Sequence, residues 1–226
     1  MEPLDNPVWH ALGGPHAHFA EHVDGARRYD PEVAPFSGIP DDPTDDDWEA
    51  LRRLLGADGA AVLMRTSVAT PPAWDERLRI ETFQMLGPEA PVGHVPSRPL
   101  VTLGEDDVPE MLDLVERTRP GPFRARTFEL GTYLGVREGG ALVAMAGERL
   151  HPSGFTEISA VCTDPANRGR GLAGALVREL LDRIAARGER AFLHVATSNT
   201  GALRLYRSLG FTTRCRVAAV MLQPRD

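Results

Sequence analysis

The sequence predicts an α/β protein, on the strength of three observations. After residue 99, short apolar runs typical of strands alternate with segments whose apolar residues recur at helical spacing. The 226 residues are 42% hydrophobic and 25% charged, an ordinary globular composition for one large domain or two small ones. No apolar run approaches the roughly 18 residues that a membrane-spanning helix needs.

A proline-rich segment predicts a domain boundary. Residues 87–99 contain four prolines, and each proline removes a backbone donor and fixes φ, so neither a helix nor a central strand can continue through them. We therefore predict a small N-terminal accessory α/β domain over residues 1–97 and a second domain over residues 98–226.

The clearest helix of the N-terminal region starts after Thr44. Asp47, three positions later, completes a capping pair, and Gly56 ends the apolar periodicity. The other predictions for this region are a strand over 60–64, a second helix over 74–86, and loop-like structure over 13–43, which is rich in Gly, Pro, His and Asp.

Beyond the boundary, predicted strands and helices alternate. Leu172, Leu176 and Leu180 form an apolar stripe on the strongest helix of the chain. Glu138-Gly139-Gly140 is a hairpin signal between two strands. We predict strands over 100–103, 133–137, 141–150, 155–163 and 191–196, one or two strands over 211–222, and helices over 108–117, 172–187 and 200–209.

Charge is distributed unevenly along the chain. All 25 basic residues are arginine, with 7 Arg against 17 acidic residues before Arg98 and 18 Arg against 15 acidic residues from Arg98 onward. This excess either reflects solvated helix faces or marks an anion site in the C-terminal part. The overall charge of −7 argues against nucleic acid or an anionic membrane as the main partner.

Cysteine content and the N-terminus bear on location. Two cysteines, Cys162 and Cys215, do not make a disulfide framework, and the acidic start of the chain shows no secretory signal, so we expect a cytoplasmic protein. Without a partnered histidine, Cys162 is interpreted as a small buried hydrophobe. No spacing of His, Cys, Asp and Glu supports a metal site.

The segment from Arg168 to Gly174 is the candidate ligand-binding motif. Its glycines lie between an apolar strand and the strongest helix, where free N–H groups and the positive helix end would face an anion. The spacing also matches G-x-G-x-x-G, the dinucleotide fingerprint, but it comes late in the chain and lacks the acidic residue at the end of the next strand. A plain glycine turn is the third interpretation.

Two motifs together resemble the GNAT superfamily of acetyl-CoA-dependent N-acyltransferases. Arg168, Gly171 and Ala173 match the family pattern R/Q-x-x-G-x-G/A. About 30 residues on, Asn199 to Phe211 is similar to the family segment N-x-x-A-x-x-x-Y-x-x-x-G-F, through Asn199, Ala202, Tyr206, Gly210 and Phe211. The resemblance covers residues 99–222. It implies a mixed, twisted sheet flanked by helices.

The resemblance also implies where acetyl-CoA, the co-substrate, would bind. The glycine turn would hold the pyrophosphate, and the main chain of the preceding strand would pair with the pantetheine arm. The expected cofactor-binding residues are Val161, Thr163, Arg168, Gly169, Arg170, Gly171, Leu172, Ala173, Gly174 and Asn199. The arginines could instead be solvated loop charges, and Asn199 could be only a helix N-cap.

Tyr206 and Glu157 are the catalytic candidates. A phenol at Tyr206 could donate a proton or a hydrogen bond to the thiolate that leaves coenzyme A, or the ring could only pack. Glu157 lies where some members of the family carry a carboxylate that deprotonates the amine through water, or it could be an exposed strand carboxylate. His151 and His194 are weaker candidates for the base.

The predicted function is acetyl transfer from acetyl-CoA to a primary amine of a small molecule or peptide. The alternatives are a non-catalytic acyl-CoA sensor or scaffold, and an enzyme using a nucleotide cofactor. The N-terminal region and the loop over 120–126 are the segments expected to shape the acceptor pocket. We expect no metal, no nucleic acid and no membrane as partners, and a monomer or a homodimer.

Overall fold

The computed structural model describes residues 2–56, 59–90, 93 and 98–225. Its α-helices are α1 (Pro7–Leu12), α2 (Asp45–Leu55), α3 (Val108–Thr118), α4 (Leu172–Ala186) and α5 (Thr200–Ser208). Its strands are β1 (Ala20–Val23), β2 (Ala26–Tyr29), β3 (Ser37–Gly38), β4 (Ala61–Arg65), β5 (Trp74–Leu86), β6 (Val101–Leu103), β7 (Tyr133–Glu138), β8 (Ala141–Glu148), β9 (Phe155–Thr163), β10 (Arg190–Ala196) and β11 (Thr212–Pro224).

Eight of these strands form one mixed sheet in the order β4-β11-β5-β10-β9-β8-β7-β6. Only β9 and β10 pair in parallel, and the other neighbours are antiparallel. The predicted α/β class with a mixed sheet is confirmed. A second, three-stranded sheet of β1, β2 and β3 lies within residues 13–43, so the prediction that this segment is loop-like was wrong.

The two faces of the large sheet are covered by different parts of the chain. Leu193 of β10 packs in the cluster of α4 and α5, whereas its neighbour Phe192 packs with Leu4, Val8 and Leu12 of the N-terminal segment. Successive residues of a strand point to opposite faces, so α4 and α5 cover one face and the N-terminal segment the other. Helix α3 packs against β8 and β9 in a third cluster, which contains Met145 and Cys162.

Helix α2 has the ends that the sequence predicts. The Thr44 hydroxyl accepts a hydrogen bond from Asp47 N, and the Asp47 carboxylate accepts one from Thr44 N, which forms a capping box. Gly56 follows the helix with φ of +76°, a left-handed conformation that glycine adopts without a steric penalty.

The helix predicted over residues 74–86 was wrong, because this segment is strand β5. It pairs with β11 from Trp74 to Leu86 and with β10 from Thr82 to Leu86. Two neighbouring strands satisfy its backbone, and this tertiary pairing outweighs local propensity. A sequence signal did exist, since Leu78 and Ile80 alternate with charged residues in the two-residue period of a strand.

The large sheet crosses the predicted domain boundary. Strands β4 and β5 precede residue 97, yet they lie in the same sheet as all the later strands. The division of the chain into folding units over residues 1–97 and 98–226 stays a prediction. Much of the boundary segment (91, 92 and 94–97) lies outside the described residues. Within the described part of the chain, no helix is both long and apolar enough to cross a membrane.

Candidate functional site

Strands β9 and β10 separate partway along their length. The parallel pairing joins only Phe155–Glu157 of β9 with Arg190–Phe192 of β10. Beyond these residues, β9 continues to Thr163 and β10 continues to Ala196. The sheet therefore opens into a wedge between the carboxyl-terminal halves of these strands. Among the described strands, none bonds the backbone groups that line this wedge.

A bulge on β9 lies at the mouth of the wedge. Ala160 has φ of +52°, uncommon for a residue with a side chain, and the register with β8 shifts at this point. Further along, Asp164 N donates to Val143 O of β8 at 2.8 Å. Because peptide groups alternate along a strand, the backbones of Val161 and Thr163 face the wedge. That is where the resemblance places the pantetheine arm.

The glycine turn leads from β9 into α4. Gly169 and Gly171 have φ of +76° and +75°, and a Cβ on either glycine would meet no atom within 4 Å. Within the described part of the chain, no hydrogen bond uses the N–H groups of residues 169–171, and the first N–H groups of α4 have no partner inside the helix. This turn therefore presents unused N–H groups in open space at a helix N-terminus, an arrangement that favours an anion.

The two arginines of the turn contact protein groups. Arg168 Nε donates to Thr163 O at 3.3 Å. Arg170 makes two hydrogen bonds of 2.7 Å to the Glu138 carboxylate, and its side chain is 47% exposed. Pairing of either guanidinium with phosphate therefore stays a prediction. To bind phosphate, Arg170 would have to give up at least part of its hydrogen bonding to the Glu138 carboxylate.

Tyr206 lies on α5, which covers the same face of the sheet as α4. Its ring packs 5.7 Å from that of Phe211, so the side chain has a packing role. Burial, with a smaller contribution from the nearby Cys162 thiol, raises the pKa of Tyr206 to about 12. The phenol is therefore protonated at neutral pH, and its hydroxyl has no hydrogen-bond partner among the described residues.

Asn199 caps α5. Its Oδ1 accepts a hydrogen bond from Ala202 N at 3.1 Å, which satisfies one of the free donors of the first turn. The capping interpretation is thus present in the structure. A contact with pantetheine stays a prediction, and both roles are compatible.

Glu157 is completely buried, and its carboxylate contacts Arg149 and His194. Arg149 Nε and Nη2 donate to its carboxylate at 2.8 and 2.6 Å, and His194 Nδ1 lies 2.7 Å from Oε1. Burial alone would raise the pKa of Glu157, but the Arg149 charge and the hydrogen bonds from Arg149 and His194 lower it to about 2. Such a carboxylate is a poor base at neutral pH, so the arrangement does not support the predicted base role.

His194 is held in one tautomer. Gln84 Oε1 accepts from Arg214 at 2.9 Å, so the Gln84 amide nitrogen faces His194 Nε2 at 3.1 Å. His194 Nε2 must then be the unprotonated acceptor, and Nδ1 carries the proton toward Glu157. His151 is half-buried, and burial lowers its pKa. The sequence did not predict Arg149 or Gln84, because their partners lie on other strands.

The buried Arg149–Glu157 pair leads to a stability prediction. Replacement Glu157→Gln keeps the side-chain shape but leaves the buried Arg149 charge uncompensated. We therefore expect the free energy of unfolding to fall by about 3–5 kcal/mol. The folded pKa of Glu157 is lowered from 4.5 to about 2. Its stabilisation is therefore present above pH 4.5 and is lost as the pH falls toward 2.

Denaturant titration of the two proteins across that pH interval checks this expectation. A suitable control is Glu138→Gln, which removes the carboxylate of an exposed pair with Arg170 and should change stability far less. Equal stability of Glu157→Gln and the wild type at neutral pH would contradict the prediction.

Known proteins resemble this chain in sequence and structure. A family model described as FR47-like protein matches residues 133–219. A crystal structure described as an acetyltransferase from the GNAT family, from Novosphingobium aromaticivorans, is 40% identical, and the match covers all of both chains with a TM-score of 0.87.

Of the curated proteins that match the chain, two illustrate the partial overlap. The N-alpha-acetyltransferase RimI of Mycobacterium tuberculosis is 49% identical over 82 residues, which are 35% of this chain and 51% of that protein. A mycothiol acetyltransferase of Thermomonospora curvata is 40% identical over 83 residues, 36% of this chain and 28% of that protein. The chain therefore spans about half, or less, of the length of these curated relatives.

Proposed function

Because the chain belongs to the GNAT family, we propose that it transfers an acetyl group from acetyl-CoA to a primary amine. The observation that carries the proposal is the wedge between β9 and β10 beside the open glycine turn. A thioester arm lying along the free edge of β9 would have its pyrophosphate at the N-terminus of α4. The same wedge gives an amine access to the thioester carbon.

The substrate acetyl-CoA would be held mainly by backbone groups. The free N–H groups of residues 169–174 would donate to the pyrophosphate oxygens, where the α4 dipole also favours negative charge. The backbones of Val161 and Thr163 would bond the amide groups of the pantetheine arm in the way a neighbouring strand would. Side-chain chemistry is then needed only at the thioester.

The transfer itself is a direct displacement at the thioester carbon. The neutral amine attacks the carbonyl carbon, the C–N bond forms, the C–S bond breaks, and the thiolate leaves. Tyr206 donates its phenolic proton, or a hydrogen bond, to the sulfur. Since Glu157 has a pKa of about 2 and His194 Nε2 is bonded by Gln84, we assign the proton lost by the amine to water.

The acceptor proposed first is the α-amine of a peptide. The RimI relative is named an N-alpha-acetyltransferase and is 49% identical over its 82 matched residues, the higher identity of the two curated relatives. A small-molecule amine is the second candidate, because the mycothiol acetyltransferase relative is 40% identical over 83 residues.

Acetyl-CoA binding and turnover test the proposal. We expect excess acetyl-CoA to raise the melting temperature, because a ligand that binds only the folded state stabilises it by mass action. Release of free thiol should then depend on an added amine, in a screen of peptides that begin with alanine, amino acids, polyamines and aminoglycosides.

Three outcomes would contradict the proposal. A shift in melting temperature without turnover of any amine would indicate an acyl-CoA sensor or scaffold. A shift with NADH and none with acetyl-CoA would indicate a nucleotide cofactor. No shift with either ligand would leave the glycine turn without an assigned ligand and refute the proposal.

A further inference from the structure

The hydroxyl of Tyr133 is buried and has no hydrogen-bond partner within the described part of the chain. The residue is only 1% exposed, and its ring packs among apolar side chains that include Phe123 and Cys162. Unpartnered buried hydroxyls are rare in folded proteins, and each calls for an explanation in terms of water, a ligand or chemistry.

The sheet register places Tyr133 in a row of residues that leads to the wedge. Tyr133 pairs with Gly147, and Gly147 pairs with Ser159, so the three residues form one row across β7, β8 and β9 on a single face. If the β9–β10 pairing continued past Glu157 and Phe192, the next partner in this row would be His194. The row therefore leads to the place where the sheet has opened.

Gly147 lets the tyrosine ring cross the neighbouring strand. A Cβ on Gly147 would lie 2.3 Å from Tyr133 Cδ1 and Cε1, so the ring lies directly over the glycine and extends toward β9. The hydroxyl reaches the electrostatic surroundings of Arg149, Glu157 and Cys162. A phenylalanine would fill the same space among the apolar neighbours, so packing alone does not explain the hydroxyl.

We infer that the Tyr133 hydroxyl binds an oxygen on the carbon next to the acceptor amine, such as the first carbonyl of a peptide. This inference rests on the proposed function. The phenol needs an acceptor for its O–H, since an unbonded buried donor is less tolerated than an under-used acceptor oxygen. Within the acceptor molecule, the nitrogen of the attacking amine uses its lone pair on the thioester, so a neighbouring oxygen is the partner that remains for the phenol.

The loop over 119–126 packs against the Tyr133 ring. Phe123, in that loop, packs edge-on against the Tyr133 ring with centroids 5.6 Å apart. The far end of the loop is tied to the N-terminal region, because Arg126 N donates to Glu32 O and the Arg126 guanidinium pairs with Asp30.

Kinetics of Tyr133→Phe with two matched amines test the inference. The probes are a peptide that begins with alanine and isopropylamine, which keeps the branched carbon but lacks the carbonyl oxygen. We expect wild type to prefer the peptide and Tyr133→Phe to lower kcat/KM for the peptide roughly 10-fold or more. The value for isopropylamine should not change, and the melting temperature should stay the same or rise.

The control variant is Tyr29→Phe. It also removes a buried tyrosine hydroxyl, but one that lies 2.8 Å from His16 Nδ1 in the free protein. This variant should melt at a lower temperature, with kcat/KM for the peptide unchanged.

The remaining outcomes overturn the inference. A lower melting temperature of Tyr133→Phe with unchanged kinetics would show a structural water only. Equal losses with both amines would place the amine itself, rather than an oxygen, on the hydroxyl. A wild-type protein that prefers isopropylamine, or uses neither probe, would also overturn it. Absence of thiol release with every amine of the screen would instead refute the proposed function.

Discussion

Replacement Gly171→Glu is expected to weaken acetyl-CoA binding by roughly 100-fold or more, equivalent to about 2.7 kcal/mol. Because a Cβ here would meet no protein atom within 4 Å, the new side chain would project into the space that the pyrophosphate needs. Its carboxylate could also accept from the free N–H groups of the turn and would repel phosphate. Titration calorimetry with acetyl-CoA measures the effect.

Backbone strain has to be separated from this loss. Gly171 has φ of +75°, so any side chain there destabilises the fold by roughly 1–2 kcal/mol. Gly154 has φ of +78°, has equally open space at its Cβ position and lies before the start of β9, at the end away from the turn. Gly154→Glu therefore adds the same strain and charge and should leave acetyl-CoA affinity unchanged. Similar affinity losses in both variants would move the phosphate site elsewhere.

Replacement Tyr206→Phe is expected to lower kcat by roughly 10- to 1000-fold, around the usual range for general acid catalysis. The ring would keep its contact with Phe211, so the change is confined to the hydroxyl. Acetyl-CoA affinity should hardly change, because charge develops on the sulfur only as the C–S bond breaks. Steady-state kinetics and calorimetry on the same preparation separate the two effects.

A tyrosine that only packs leads to a different expectation. In that case Tyr206→Phe would retain the full rate per folded molecule, with any change confined to the melting temperature. The Tyr29→Phe variant serves as the reference, because it loses a hydroxyl that is already bonded to His16 in the free protein. Full activity of Tyr206→Phe would remove this residue from the mechanism and leave the thiolate to be protonated by water.

Much of the candidate site could be predicted from the sequence, because its features depend on residues that are close together along the chain. The glycines at 169 and 171 are needed where the chain turns through positive φ, and the apolar stripe beginning at Leu172 specifies the helix that follows. Asn199 is the N-cap of one short helix and Tyr206 lies within it, so their spacing alone places both at α5. These features depend on neighbours a few residues apart, which is the range that a sequence pattern describes.

Long-range pairing decided the rest. Strand β5 is a strand because β10 and β11 bond its two edges, although its partners are more than 100 residues away in the sequence. The pKa of Glu157 is lowered because the fold buries Arg149 and His194 against it. The Tyr133 ring crosses β8 because Gly147, which lies beneath it, has no side chain. The sequence by itself determined the glycine turn, its helix and the catalytic tyrosine candidate. The tertiary structure decided protonation states and which side chains meet, since both depend on burial and on contacts between distant strands.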